Sequence, residues 1–147
     1  MSYENFNLAV GGLILRGDKV LLNHRTDYDM WDLPSGGVEK NETIIQALKR
    51  EIKEETGLNV KPVRLVGVYH NYRRKVISLL FLVKVISGKL RKNEEADDHK
   101  YFSYKKLPKN TVPKQKERII NYFNNKKEIT VATQKSKPSY LALGFKK

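Results

Sequence analysis

Gly36 to Leu58 reads GGVEKNETIIQALKREIKEETGL, and the reading of this stretch decides the fold. It sets Glu42, Arg50, Glu51, Glu54 and Glu55 at fixed offsets between glycines. Ile44, Ile45, Ala47, Leu48 and Ile52 recur at near-helical spacing with no Pro or Gly among them. Residues 44–56 are therefore predicted to form an amphipathic helix. Thr43 followed three residues later by Gln46 is a capping-box start. Gly57 can take the left-handed backbone that ends a helix.

On such a helix Glu51, Glu54 and Glu55 stand at i, i+3 and i+4 and share one face. Like charges side by side repel. Arg50, four residues before Glu54, offsets part of this, and a divalent cation would offset the rest. Carboxylate oxygens are hard ligands that suit Mg2+ or Mn2+, the ions that also bind phosphates. Just before the helix, Pro34-Ser35-Gly36-Gly37 is read as a tight loop. Its two glycines would allow unusual backbone angles and close approach to a metal or phosphate. EIKEE alone is an ordinary solvent-facing acidic surface. The joint spacing of loop, cap and carboxylates is what points to metal and phosphate chemistry.

The complete pattern is G-x5-E-x7-R-E-U-x-E-E-x-G-U, with U aliphatic; Ile52 and Leu58 fill the aliphatic places. It is identified as a Nudix box, and the chain resembles the MutT-like Nudix hydrolases over roughly residues 5–125. The resemblance implies an α+β (α/β) fold, the Nudix α/β/α sandwich, with a mixed β-sheet flanked by helices. It also implies hydrolysis of a diphosphate linkage in a nucleoside diphosphate derivative, with Mg2+ (or Mn2+) as cofactor. By position, Glu51, Glu54 and Glu55 would bind the metal, Glu54 and Glu55 most closely. Glu42 would support the cluster, and the carbonyl of Gly36 or Gly37 is a further ligand candidate. Arg50 would orient the neighbouring glutamates. A general base comes from the box or from Glu94-Glu95-Ala96-Asp97-Asp98, where Glu95 and Asp98 align best ahead of Lys100-Tyr101-Phe102. Ser35 replaces the usual first glycine of the loop, and Asn41 replaces the glycine before Glu42. Asn tolerates a left-handed backbone, so neither departure touches the metal set.

The chain has 147 residues, 39% of them hydrophobic, enough for one folded domain with its own core. It has no cysteine, which excludes disulfides, zinc–thiolate sites and a cysteine nucleophile. MSYENFNLAV lacks the basic start and apolar run of a secretion signal, and no apolar run reaches membrane-spanning length. A cytoplasmic location is expected, with no membrane partner. The net charge of +13 is uneven. Residues 1–104 hold 17 Lys+Arg against 14 Asp+Glu, whereas residues 105–147 hold 12 against 2. A basic field attracts phosphorylated small molecules and RNA alike, and a plain lysine-rich surface has the same composition.

Strands are expected over residues 7–15 and 18–25, joined by a turn at Arg16-Gly17-Asp18. A polar loop then runs to Trp31-Asp32-Leu33-Pro34. Further strands are expected over 59–70, 75–87 and 99–104, with a charged loop over 88–98. A second helix is expected over 113–124 with Ile119, Ile120 and Phe123 inward. Residues 1–125 form the expected catalytic domain, and 126–147 a basic tail, docked or flexible. In that tail Tyr140 to Phe145 is apolar enough to pack on the domain or on a second copy in a homodimer.

Arg25, Arg73 and Arg74 are candidates to hold substrate phosphates. Trp31, Tyr69, Tyr72 and Phe81 could stack on a base, although packing is the commoner role for each. His24 and His70 are assigned none. ADP-ribose enzymes of the family commonly carry a proline shortly after the box, and here no proline lies between Val63 and Pro108. The bare domain looks more like a nucleoside triphosphate pyrophosphohydrolase. ADP-ribose, dinucleoside polyphosphates and the 5′ end of RNA stay open, and an RNA- or nucleotide-binding module is the competing class.

Overall fold

The computed structural model describes residues 2–135. The chain order is β1 (Asn7–Arg16), β2 (Lys19–Arg25), β3 (Trp31–Asp32), β4 (Ser35–Gly37), α1 (Ile44–Thr56) and β5 (Leu58–Asn71). Then come β6 (Val76–Gly88), β7 (Ala96–Ser103), α2 (Pro113–Asn124) and β8 (Thr130–Thr133). The strands form a mixed sheet in the order β3-β2-β1-β6-β5-β8. β1 runs parallel to β6 and β5 parallel to β8, while the β1–β2 and β5–β6 pairs are antiparallel.

β1 is the hinge of the sheet. Its first half pairs with β4 (Ala9↔Gly37 to Gly11↔Ser35). Its end pairs with β2 at Leu15↔Val20 and Arg16↔Lys19. β2 thus leaves β1 beyond the turn at Gly17, whose φ of 63° is left-handed, and carries β3 and β7 with it.

Side chains alternate across the strands, so two cores form on opposite faces. Val10, Ile14 and Leu21 pack with Ala47, Leu48 and Ile52 of α1. Leu13, Val20, Leu22, Tyr69 and Leu80 pack with Ile119 and Tyr122 of α2. The expected α/β/α layering is what the chain adopts. At Gly12 an added Cβ would come within 2.6 Å of Ile52 Cδ1, so the absent side chain lets α1 lie close to the sheet.

Three sequence expectations change. Ser35–Gly37 is a strand, not a loop, and neither Gly36 nor Gly37 has positive φ. Runs of Gly carry no strand propensity, so pairing with β1 overrides the local signal. β7 begins at Ala96, three residues before the expected start, because Asp98 and Ala96 still pair with His24 and Arg25 across a register shift. The buried face of α2 is Gln115, Arg118, Ile119 and Tyr122, whereas Ile120 and Phe123 are half-buried. Within the stretch expected as a basic tail, docked or flexible, β8 is hydrogen-bonded to β5. Gln134 follows it, 4% exposed. Tyr140 to Phe145 lies outside the described residues. Among the described residues no helix is long and apolar enough to cross a membrane.

Candidate active site

Helix α1 starts and stops where its sequence signals place it. Gln46 N donates to Thr43 Oγ1 (3.1 Å) and Thr43 N donates to Gln46 Oε1 (2.9 Å), completing the capping box. Gly57, at φ 85°, donates to Lys53 O and closes the last turn. Asn41 takes the left-handed φ of 65° that its place in the box calls for. With both ends fixed and Ala47, Leu48 and Ile52 buried, the acidic side of α1 faces out of the core.

Arg50 organises that face. Its guanidinium donates to both oxygens of Glu42 (2.6 and 3.0 Å), to Glu51 Oε1 (2.9 Å), to Glu54 Oε2 (3.2 Å) and to Gly37 O (3.0 Å). The Arg50 guanidinium holds the Glu42 carboxyl down at about 2. The Glu51 carboxyl lies against Gly36, where an added Cβ would be 2.1 Å from its Cδ. The glycine is therefore needed for close approach, not for an unusual backbone angle.

Glu51, Glu55 and Glu95 come together, with one oxygen from each within 4.8 Å of the others. Glu55 Oε2 accepts from Ser35 N at 2.7 Å. Burial, followed by the nearby charge of Asp32, pushes the Glu55 carboxyl up to about 9. Burial also raises Glu51, against the pull of Arg50. Two partly buried carboxylates and one exposed one, with Arg50 pairing only Glu51 of the three, form a donor set that fits a divalent ion with oxygen ligands. Glu54, half exposed and bonded to Arg50, stands outside this trio. Asp98 also stands apart, accepting from His99 N and pairing with Lys100 at 3.7 Å.

Asn93 holds Glu95 in place. Its Nδ2 donates to Glu55 O (2.8 Å), and its Oδ1 accepts from Glu95 N and Ala96 N (2.9 Å each). His99 Nε2 donates to the same Glu55 carbonyl at 2.7 Å. One side chain thus fixes the loop carrying Glu95 against the end of α1.

Glu55 and Glu95 face a cavity of about 430 Å3, whose other walls include Arg25, Asp27, Asp32, Ser35, Lys114 and Gln115. Arg25 is braced by Asp27 and by Asp32 (Nη1 to Oδ2, 3.3 Å). Asp32 accepts from Gln115 Nε2 at 2.9 Å, and burial raises its carboxyl. Of the three arginines singled out in the sequence, Arg25 lines this cavity. Arg74 lines a smaller one of about 80 Å3 that shares Lys114, and Arg73 lines neither. Asp32, Asn93, Lys114 and Gln115 carry no motif and were not legible. The one signal was the position of Asp32 and Ser35 on either side of Leu33-Pro34, directly before the box.

The aromatics pack. Trp31 stacks edge-on against His24 and Phe102 at 5.0 and 4.9 Å and anchors the chain ahead of β4. Tyr69 is buried in the α2-side core, and Phe81 packs on the α1-side core. His24 bridges Asp29 and Asp97, at 2.7 Å each.

A glycine strand, a capped helix with an arginine-bound carboxylate face, and a late acidic loop bring Glu51, Glu55 and Glu95 together on an α/β/α sandwich. The NUDIX domain family model matches residues 5–123, and the chain belongs to that family. It is similar to an ADP-ribose pyrophosphatase of Methanocaldococcus jannaschii, 40% identical over 69% of this chain and 64% of that protein. It is also similar to a MutT-like protein of Streptomyces ambofaciens, 36% identical over 61% of this chain and 59% of that protein. The chain thus spans less than two thirds of either relative. A NUDIX hydrolase structure from Nitrosomonas europaea superposes with a TM-score of 0.78. It covers 92% of this chain and 82% of its own at 23% identity, a likeness of fold.

Proposed function

We propose that the protein is a divalent-metal-dependent hydrolase of the diphosphate linkage in nucleoside diphosphate derivatives, acting best on a nucleoside triphosphate. The observation that carries this is the convergence of Glu51, Glu55 and Glu95 beside a polar cavity that also holds Arg25 and Lys114. Acidic and basic groups on facing walls suit a metal on one side and phosphate oxygens on the other. Glu51 and Glu55 would hold Mg2+ or Mn2+, with Glu54 free to join by releasing Arg50. A divalent ion there neutralises phosphate charge and acidifies water.

The chain's own groups do the rest. Arg25 and Lys114 hold phosphate oxygens in line. Arg50 keeps Glu42 and Glu51 from swinging away, and Ser35 N fixes Glu55. Glu95 is assigned the general base, because Glu51 and Glu55 are already engaged by Arg50 and Ser35. Its own carboxylate makes no hydrogen bond or ion pair among the described residues. It takes the proton of a water that attacks phosphorus, and the bridging P–O bond breaks toward the departing phosphate.

The match to an ADP-ribose pyrophosphatase makes ADP-ribose the second substrate to test. We further assign the site to residues 1–125 and treat 126–147 as a basic extension. An RNA 5′ end is the third substrate, on account of the basic residues 105–147.

The test is a panel of nucleoside triphosphates, ADP-ribose, dinucleoside polyphosphates and 5′-triphosphorylated RNA with Mg2+ or Mn2+, scored for released phosphate and pyrophosphate. Wild type should hydrolyse at least one, and Glu54→Gln should lose orders of magnitude. Inactivity across the panel refutes the enzymatic reading in favour of a binding module, whereas hydrolysis unaffected by Glu54→Gln removes Glu54 from the metal set.

A further inference from the structure

At Lys114 the carboxylate-lined cavity adjoins a cleft of about 80 Å3 lined by Asn71, Arg74, Val76, Ser78, Lys114 and Arg118. Its walls are cationic. Arg118 is 7% exposed, and its hydrogen bonds go to neutral groups, Gln115 Oε1 (3.1 Å) and Gln134 Oε1 (3.1 and 2.9 Å), with the Tyr69 ring at 4.9 Å. The Lys114 ammonium and the Arg74 guanidinium form no ion pair or side-chain hydrogen bond among the described residues. The nearest carboxylates are already engaged: Asp32 by Arg25 and Gln115, and Glu117 by Gln134. Lys114 is lowered by its burial and then by Arg118, against the opposing pull of Asp32, with Arg74 and Arg25 adding to the lowering. Buried or half-buried cations whose nearby carboxylates are bonded to other groups stay costly unless an anion joins them.

Among the described residues no aromatic ring lines either cavity, so these walls offer no stacking face for a base. With a water occupying about 30 Å3, the cleft has room for one phosphate-sized group. Ser78 and Asn71, both nearly buried, add short polar side chains to a wall that already carries the fork of Arg118.

We propose that this cleft is a second anion subsite, receiving a substrate phosphate beyond the diphosphate that is cut. The inference rests on the diphosphate-hydrolase reading for what lies at the carboxylate end. The substrate class it selects is a diphosphate bearing at least one further phosphate, held by Arg74, Lys114 and Arg118. That phosphate comes either from the third position of a triphosphate chain or from a phosphorylated sugar.

Inorganic phosphate in EDTA is the direct probe, because without metal the carboxylate end repels it. Calorimetry should show saturable binding that weakens about tenfold or more in Arg74→Gln and in Lys114→Gln, the loss of one charge-assisted contact. It should persist in Glu55→Gln and in Lys105→Gln, which removes an equal charge from an exposed place outside both cavities. Arg74 is exposed on the turn after β5, so its variant tests the subsite without disturbing α2. No binding, or equal weakening in Lys105→Gln, overturns the subsite whether or not the enzyme is active. Binding that maps to Arg74 and Lys114 upholds it even if the substrate panel is silent. With hydrolysis in hand, a KM rise in Arg74→Gln for dGTP but not dGDP assigns the chain's third phosphate. A rise for ATP 3′-phosphate but not ATP assigns a sugar phosphate.

Discussion

Gly36→Ala is expected to disable the site while leaving the fold intact. The added Cβ would sit 2.1 Å from Glu51 Cδ and 2.3 Å from each Glu51 oxygen. Ordinary contact begins near 3.4 Å, so the carboxyl must retreat by about 1.3 Å. The backbone needs no change, since Gly36 is extended and paired with Val10. The obstructed atoms are the end of a flexible side chain, so the strain relaxes by rotation. Stability should fall by no more than about 1 kcal/mol, the low end of overpacking penalties. The retreat, however, takes Glu51 from Arg50 Nη1, now at 2.9 Å, and out of the trio with Glu55 and Glu95. A displacement of about 1 Å at a reacting centre costs on the order of a hundredfold in rate. Gly37→Ala is the matched control, because its Cβ would meet only Leu8 O, at 4.0 Å. The assay is kcat on the substrate found in the panel, with Tm measured alongside. Equal activity in the two alanine variants would refute the steric role assigned to Gly36.

Other perturbations follow from the same geometry. Arg50→Gln removes the donor shared by Glu42, Glu51 and Glu54, so Mn2+ affinity and kcat should fall about 10–100-fold; unchanged Mn2+ affinity by calorimetry would contradict its orienting role. In EDTA the folded protein keeps a proton on Glu55 up to about pH 9, whereas the unfolded chain releases it near its ordinary value of 4.5. The folded state thus binds more protons across that window, and Tm should decline as pH rises from about 5 to 9. Glu55→Gln should flatten the decline, and a wild-type Tm that climbs with pH would count against the buried carboxyl. Gly12→Ala should destabilise by about 1–3 kcal/mol in urea unfolding, because its Cβ would press on buried Ile52; a neutral result would mean that α1 is packed more loosely on β1.

The capped helix and its acidic face were legible in the sequence because both obey helical spacing. Thr43, Gln46 and Gly57 are local signals, read by the residues next to them. β4 was not legible, since Ser-Gly-Gly has turn composition and becomes a strand only through pairing with Val10 and its neighbours. The α2 face was half legible: apolar periodicity finds Ile119 but not Gln115 or Arg118, which are buried because they bond to each other and to Gln134. Asn93 and Asp32 escape for the same reason. Their importance lies in partners 38 and 83 residues away, Glu55 and Gln115, and no spacing rule reaches across the fold.

Crystals soaked in Mn2+ and examined by anomalous scattering test the central claim most directly. The expected result is a peak bonded to oxygens of Glu51 and Glu55, with Glu95 beside it, that vanishes in Glu55→Gln. A molecule without manganese at these carboxylates, or with its ion held elsewhere while hydrolysis proceeds, would contradict it.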